Sequence, residues 1–176
     1  GYLYGPTEGN LTDGNANADW RVYNAISNGG NPANLWRTLT KDEWNYVLNE
    51  RPTLSGIRWV KGRINNVNGA ILLPNDWNPS AYELNNTNTY NGGGYDSNVI
   101  TASDWTDTFE ANGAVFLPAA GNRRGTSVHN IGSGLYWSSS RGGSTSCYFD
   151  NNSYGSYSYT VGQDAGLSVR IVRSAD

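Results

Sequence analysis

The chain has 176 residues, close to the size of one ordinary domain, and carries 12 basic against 15 acidic side chains, a net charge of -3. This acidic balance argues against a nucleic-acid-binding protein, which usually presents a basic face. The longest apolar runs, at residues 70–73 and 114–117, are far shorter than the roughly 20 residues that cross a bilayer, so no membrane-spanning segment is predicted. One cysteine and one histidine cannot make an internal disulfide or a Cys/His zinc site.

The composition indicates the class of fold. Charged residues make up 15% of the chain and aromatic residues 12%, while Asn, Ser, Thr and Gly supply most of the polarity. This balance is typical of a loop-rich β domain with a few short helices rather than of a helical bundle. The chain starts at Gly1 and contains no methionine, so we expect it to be a trimmed piece of a longer protein whose signal or anchor lies elsewhere.

The predicted elements begin after an irregular N-terminal segment. Residues 1–18 are rich in Gly and Asn and show no apolar periodicity. The next apolar residues are spaced three apart, at Trp20, Tyr23 and Ile26, which places them on one face of a helix. We therefore predict a short helix over residues 19–28.

A second helix is predicted by its N-terminal sequence. Residues 35–38 have the pattern of an extended segment, and Thr40 and Glu43 then form a capping box, in which each side chain satisfies a free backbone N–H. The following apolar residues share one helical face: Trp44, Val47 and Leu48. The prediction is a helix over residues 40–50.

Two strands and a long loop follow. Residues 57–64 and 70–73 are predicted to be strands of a hairpin, joined by residues 65–69, most of which tolerate positive φ. Residues 74–99 are dominated by Pro, Asn, Gly and Tyr. They lack apolar periodicity and are predicted to be a long ordered loop.

A third helix and another strand complete the first two thirds of the chain. Thr101 and Asp104 offer an N-terminal cap, and Gly113 can close the helix. Residues 114–117 are predicted to be a buried strand.

The last third differs in character, with no Lys after Lys61 and no Glu after Glu110. Apolar residues alternate with polar ones in two places there, which predicts small antiparallel strands. The residues predicted to face inward are Cys147, Phe149, Val169 and Ile171, and those predicted to face outward are Tyr148, Asp150, Ser168 and Arg170. The predicted sheet has an outer surface rich in Tyr, Ser and Asn.

The residue types that carry catalysis are better explained by structure. Asp42 and Glu43 are adjacent on a helix, so their side chains diverge, and Glu43 is explained by the cap. His129 has no Cys or second His to support it and is predicted to be a surface residue. Cys147 is predicted to be a small buried apolar residue rather than a reactive thiol. We therefore predict no enzyme, no catalytic residues, no metal site and no cofactor.

Binding is the better prediction for the last third. Tyr, Ser, Gly and Asn are enriched in antibody-like binding surfaces, because Tyr brings rigid contact area and small polar residues adapt their hydrogen bonds. Residues 136–160 contain five tyrosines. The alternative is a Gly/Ser-rich and weakly packed surface without a ligand.

An ordered series of motifs in this sequence resembles a known family. The residues that carry the resemblance are Leu35-Trp36-Arg37-Thr38-Leu39-Thr40 with Glu43-Trp44, Val67-Asn68-Gly69-Ala70-Ile71-Leu72-Leu73-Pro74 with Asp76-Trp77, Phe116-Leu117-Pro118-Ala119-Ala120-Gly121 with Arg123, Gly132 with Tyr136-Trp137-Ser138-Ser139, and Gly166 with Ser168-Val169-Arg170 and Val172-Arg173. Spread over about residues 19–173, they resemble the major paralogous domain of Fibrobacter and Bacteroides surface proteins. They are especially similar to its relatives in gut Bacteroidales and phages that are diversified by retroelements.

The resemblance implies a fold and a domain organisation. It implies an α+β, C-type lectin-like fold, related to that of formylglycine-generating enzymes, in which short helices pack around small antiparallel sheets. Residues 19–176 would form a single domain of this type, with a variable ligand-binding region over about residues 122–165. The calcium-dependent sugar motifs and disulfides of animal C-type lectins are absent from the sequence, as is the cysteine pair of the formylglycine-generating enzymes.

The composition of the variable region agrees with diversification by a retroelement. In such systems a reverse transcriptase miscopies adenines, which converts AAY codons into NNY codons, and these cannot encode Lys, Glu, Gln, Met or Trp. Between residues 122 and 173 the only residues of those types are Trp137 and Gln163. Trp137 belongs to a framework motif, and Gln163 is expected not to be randomised.

By position, the resemblance implies a set of variable residues that contact the ligand: Asn122, Arg124, His129, Asn130, Leu135, Arg141, Ser144, Thr145, Ser146, Tyr148, Asp150, Asn152, Tyr154, Tyr157 and Tyr159. An exposed Tyr/Arg group at their centre is the expected hot spot. The expected partner is a protein or cell-surface ligand, with a glycan as a further candidate, and the expected location is the cell surface, in the manner of a lipoprotein, or a phage virion. The alternative function is a non-variable structural or adhesive domain of a bacterial surface lipoprotein.

Overall fold

The computed structural model describes residues 36–90, 93–140, 145–151, 156–160 and 165–173. The predicted irregular segment 1–18 and the predicted helix over residues 19–28 lie outside the described residues. Within them the chain forms a mixed α/β structure of two short helices, small sheets and long loops, which confirms the coarse fold class predicted from the sequence.

The predicted capping box starts the first described helix. Strand β1, Trp36–Thr38, leads into helix α1, Lys41–Asn45, which continues as a π-helical turn over Tyr46–Glu50. Thr40 Oγ1 accepts a hydrogen bond from Glu43 N at 3.1 Å, and Glu43 Oε2 accepts one from Thr40 N at 2.8 Å. The extended segment, the cap and the helix over residues 40–50 are thereby confirmed in the described part.

Glu43 also pairs with an arginine of β1. Arg37 Nη1 donates a hydrogen bond to Glu43 Oε2 at 2.6 Å. The Arg37 hydrogen bonds, and after them the Thr40 N–H, lower the pKa of Glu43 from 4.5 to about 2. The carboxylate therefore stabilises the folded chain when it is ionised.

Replacing Glu43 by glutamine is expected to destabilise the protein at neutral pH but not near pH 2. The pKa of Glu43 is lower in the folded state, so its contribution is present above about pH 4.5 and is lost as the pH falls towards about 2. Urea unfolding at a series of pH values measures this, with Glu83→Gln, an exposed carboxylate, as the control. A difference from wild type that does not shrink over this pH range would contradict the assignment.

A four-stranded sheet forms the centre of the described structure. Strand β2, Trp59–Ile64, pairs antiparallel with β3, Val67–Leu72, through a turn of only two residues, Asn65 and Asn66. Both asparagines have positive φ, 46° and 66°, as a tight hairpin turn requires. The predicted hairpin is confirmed, but its predicted five-residue loop is wrong, because the two asparagines alone reverse the chain.

The remaining strands of this sheet come from distant segments. Strand β4, Val99–Ile100, pairs with β2, and β5, Val115–Pro118, pairs with β3, which gives the order β4-β2-β3-β5. The β4 pairing is parallel, so the prediction of purely antiparallel sheets is wrong for this sheet. The described part of the predicted loop over residues 74–99 is irregular except for a 3-10 turn at Tyr95–Ser97 and the start of β4.

The second helix follows the predicted cap. Thr101 Oγ1 accepts from Asp104 N at 3.1 Å and begins α2, Ala102–Asp104. The helix continues as a π-helical turn over Trp105–Phe109 and a 3-10 turn over Glu110–Asn112, and it ends at Gly113, whose φ is 85°. The predicted start and end are both confirmed.

The two faces of the four-stranded sheet pack against different elements. Residues of one face, including Trp59 and Leu117, cluster with Trp44 of α1 and with aromatic residues of the C-terminal strands. Residues of the other face, including Val60, cluster with Phe109 of the α2 segment. Each fully buried large side chain contributes about 1.5–3 kcal/mol. The sheet is therefore an interior layer that supports the C-terminal strands on one side.

The last third of the chain forms short strands in three further sheets. They are β6, Asn122–Arg124; β7, Ser127–His129; β8, Gly134–Trp137; β9, Thr145–Phe149; β10, Ser156–Thr160; β11, Ala165–Gly166; and β12, Ile171–Arg173. Their orders are β10-β9-β8, β11-β6-β7 and β1-β12. The predicted inward orientation of Val169 is wrong, because Val169 is 37% exposed and precedes the strand that starts at Ile171.

Candidate ligand-binding surface

Strands β6 and β7 form a hairpin whose register groups three of the predicted ligand-binding residues. Asn122 pairs with His129 and Arg124 pairs with Ser127, so Asn122, Arg124 and His129 lie on the same face. Arg124 and His129 are exposed, which also confirms the prediction that His129 is a surface residue. These two side chains are placed where a ligand can reach them.

Asn122 is buried, which corrects the prediction that it faces solvent. Its side chain is 3% exposed, and its Oδ1 accepts a hydrogen bond from Asn130 Nδ2 at 2.7 Å. The preceding Gly121 has a φ of 74°, and a Cβ there would lie 2.3 Å from the His129 carbonyl oxygen. The close backbone approach at Gly121 and the hydrogen bond between Asn122 and Asn130 hold the base of the hairpin together, while Asn130 itself is exposed.

Strand β9 separates buried from partly exposed side chains. Cys147 is 1% exposed and Phe149 is 3% exposed, and both pack in the core with Tyr136 of β8. Tyr148 and Asp150, the residues between and after them, are only partly buried. The predicted alternation along β9 is confirmed. The Tyr148 hydroxyl donates a hydrogen bond to Asp150 Oδ2 at 2.6 Å, which holds the side chains of these two predicted contact residues together.

Leu135 is completely buried, which corrects its prediction as a contact residue. It pairs with Tyr148 across β8 and β9, yet its side chain is 0% exposed. Both edges of β8 are hydrogen-bonded, one by β9 and the other by Ser168, whose N–H donates to the Leu135 carbonyl oxygen at 3.0 Å. A completely buried aliphatic side chain stabilises the fold and is not available to a ligand.

A buried lysine ties the end of β9 to the central sheet. Lys61 of β2 is 3% exposed, and its Nζ donates hydrogen bonds to the carbonyl oxygens of Tyr90 at 3.1 Å and Asp150 at 3.2 Å. Burial lowers the pKa of Lys61, and the nearby Asp150 carboxylate partly opposes this effect. The sequence prediction missed this contact, although a lysine on the same strand face as Trp59 was a usable signal.

Two aromatic residues make similar contacts with the main chain of the C-terminal third. The Tyr95 hydroxyl donates to the Gly132 carbonyl oxygen at 2.8 Å, and Trp44 Nε1 donates to the Trp137 carbonyl oxygen at 3.2 Å. Tyr95 is 1% exposed and Trp44 is 0% exposed. The first two thirds of the chain thus position the loops and strands of the last third through rigid, buried side chains.

A polar cleft of about 370 Å³ lies next to the end of β9. Its lining includes Arg63 and Asp96, which form an ion pair, and Asp150 from the predicted contact set. The exposed Ile131 also borders it. These charged groups come from three distant parts of the chain, which is why the cleft was not predicted.

Some predicted contact residues are described only by their backbone, and others lie outside the described part of the chain. Arg141, Ser144, Asn152 and Tyr154 lie outside the described residues. Four others are placed by the backbone alone, in β9 or β10: Thr145, Ser146, Tyr157 and Tyr159. The register between these strands pairs Tyr159 with Ser146 and Thr160 with Thr145.

Cys147 lies within the core, as predicted. Its burial raises the pKa of the thiol to about 12, so the reactive thiolate is scarce at neutral pH. We expect iodoacetamide to modify the folded chain at least about 100-fold more slowly than the urea-unfolded chain, because modification requires both access and the thiolate. Mass spectrometry over time measures the rate, with glutathione in the same sample as the control. Comparable rates in the two states would show that the thiol is accessible.

Among the described residues, no group of three or more His, Cys, Asp or Glu side chains is arranged to hold a metal ion. In the same part of the chain, no helix combines the length and apolar character that crossing a bilayer requires. Comparisons with protein-family models, with curated proteins and with solved structures found no match.

Proposed function

We propose that this chain is a ligand-binding variable protein of a diversity-generating retroelement, built on a C-type lectin-like scaffold. Displayed on a bacterial surface or a phage particle, it recognises a protein or cell-surface ligand. The observation that carries the proposal is the division of side chains along β6 to β9. Tyr136, Cys147 and Phe149 point into the core, whereas Arg124 and His129 are exposed.

This division is what a diversified surface requires. Substitution of an exposed residue usually changes stability by less than about 0.5 kcal/mol, whereas truncating a buried aromatic residue costs about 3–5 kcal/mol. Side chains on the outside can therefore change while the fold is retained. Tyr and Arg, which are enriched among the hot spots of protein interfaces, are both present, at the partly buried Tyr148 and the exposed Arg124.

The burial of two residues narrows the proposed contact set. Asn122 and Leu135 are withdrawn from it. Of the residues whose side chains are described, those that remain are Arg124, His129, Asn130, Tyr148 and Asp150.

The proposal is tested by sequencing the gene's surroundings. We expect a reverse-transcriptase gene and a near-copy of codons 122–173 that differs from the gene at adenines, with differences at the codons for Arg124, His129 and Tyr148. The codons for Cys147 and Phe149 are expected to be the same in both copies. If the locus contains neither the reverse-transcriptase gene nor the near-copy, the diversification proposal is refuted.

The second candidate is a fixed structural or adhesive domain of a surface lipoprotein. The burial of Asn122 and Leu135 favours it, because a randomised codon at a fully buried site would often damage the fold. It predicts one invariant sequence at Tyr148, Asp150 and Tyr157 in clonal relatives, whereas diversification predicts different residues there. Sequencing the gene from such relatives separates the two functions.

A further inference from the structure

The β6–β7 hairpin and the residues that follow it form the longest continuous exposed stretch in the described part of the C-terminal third. Every residue from 123 to 131 is exposed. Two of them are large and apolar: Val128 is 56% exposed and Ile131 is 80% exposed. We call residues 122–131 the basic hairpin, because they include Arg123 and Arg124 and no acidic residue.

The basic hairpin lies in a part of the chain that is devoid of acidic residues. The chain as a whole has a net charge of -3, yet residues 111–149 contain no Asp or Glu. The two hairpin arginines, Arg123 and Arg124, are both exposed. Arg123 Nε donates to the Gly125 carbonyl oxygen at 3.1 Å. The ion pairs Arg37–Glu43 and Arg63–Asp96 lie elsewhere in the described part of the chain.

The position of β7 adds a second feature. The sheet order β11-β6-β7 places β7 at an edge among the described strands. An edge strand presents backbone N–H and C=O groups that an added strand can use. Val128 lies at the centre of β7, directly opposite Arg123. Positive charge, apolar contact and strand-pairing groups therefore occur together on one element.

We propose that the basic hairpin docks an extended, acidic segment of a partner protein. Carboxylates on one face of the partner segment contact Arg124, on the face that it shares with His129, and the backbone of the segment aligns with β7. Apolar side chains on its other face contact Val128, and Ile131 adds apolar contact beyond the strand. Arg123 lies on the Val128 face and adds to the positive charge of the hairpin. A sulfated or carboxylated polysaccharide would match the arginines but would leave the two apolar residues and the strand edge unused. Charge complementarity also steers the encounter with such a partner, and salt weakens it.

The inference rests on the proposed function in one respect, since both place the ligand surface in the last third of the chain.

The test uses the full chain and a fluorescent peptide of alternating Glu and Val, with Gln-Val and Lys-Val peptides and a heparin oligosaccharide as comparison probes. Fluorescence anisotropy at low and high salt gives the affinities. Thermal unfolding of each variant shows that it is folded.

We expect the Glu-Val peptide to bind most tightly and to weaken as salt rises. Arg123→Gln with Arg124→Gln is expected to weaken binding about tenfold, equivalent to about 1.4 kcal/mol, because it removes one exposed ion pair and a second nearby positive charge. The charge-preserving pair Arg123→Lys with Arg124→Lys is expected to retain most of the affinity. Val128→Ser with Ile131→Ser is expected to weaken binding of the peptide severalfold and to leave binding of heparin unchanged.

Two results overturn the inference. If the glutamine variant binds the Glu-Val peptide as well as wild type, or if no peptide binds, the basic hairpin is not a docking element for acidic segments. If heparin binds more tightly than the peptide and the serine variant has no effect, the partner is a polyanion and not a protein segment. Neither result bears on the retroelement, which is decided by the gene locus alone.

Discussion

Replacing Phe149 by alanine is expected to lower the free energy of unfolding by about 3–5 kcal/mol, whereas replacing its neighbour Tyr148 by alanine costs about 1 kcal/mol. Phe149 is 3% exposed and stacks near Tyr136, with a centroid separation of 6.2 Å, so its removal leaves a cavity in the core. Tyr148 is only partly buried, so its replacement removes less buried contact, together with the hydrogen bond to Asp150. The two residues differ by one position in the same strand, which makes them matched probes of its two faces.

Urea unfolding followed by tryptophan fluorescence measures both variants, since the chain has seven tryptophans. The comparison should be made at one pH and one protein concentration. Equal losses for the two variants would mean that both faces of β9 are packed equally. In that case the outer face could not vary freely, and the proposed function would lose its physical basis.

Replacing Gly134 by alanine is expected to be nearly as damaging, at about 3 kcal/mol, although it adds only one methyl group. A Cβ at this position would lie 2.0 Å from Cζ of Phe149, which is far inside van der Waals contact. The Phe149 ring is buried and can move only by displacing its neighbours. The matched control is Gly166→Ala, where the new Cβ would lie 3.5 Å from Cβ of Arg123, an ordinary contact.

A double variant tests the cause of this loss. If the clash with the ring is responsible, combining Gly134→Ala with Phe149→Leu should cost less than the sum of the two single losses. Calorimetric or urea unfolding of the four proteins gives the coupling energy. Additive losses, or a Gly166→Ala variant as unstable as Gly134→Ala, would show that Gly134 is needed for another reason.

The sequence predicted those parts of the fold that depend on neighbouring residues. Thr40 and Glu43 are three positions apart, and their reciprocal hydrogen bonds form whenever the helix does, so the start of α1 was predictable. The same holds for Gly113, whose left-handed conformation ends the second helix. The alternation of Cys147 and Phe149 predicted their burial because the period of a strand is strictly two.

Features that depend on distant residues were not predictable from patterns. Leu135 lies on the same sheet face as the partly exposed Tyr148, yet it is completely buried, and no local pattern in the sequence signals this burial. The parallel pairing of β4 with β2 requires a return of the chain through the long loop, for which the sequence has no periodic signal. The polar cleft likewise depends on the meeting of Arg63, Asp96 and Asp150.

The buried Lys61 supports position 150 through the main chain of that residue. Lys61 contacts the carbonyl oxygen of residue 150, and every amino acid supplies that atom. Tyr95 and Trp44 contact the chain at Gly132 and Trp137 in the same manner. These hydrogen bonds are therefore independent of the side chain at the supported position. The Asp150 carboxylate also favours the charged form of Lys61, so a neutral residue at position 150 would keep the hydrogen bond but lose this electrostatic contribution.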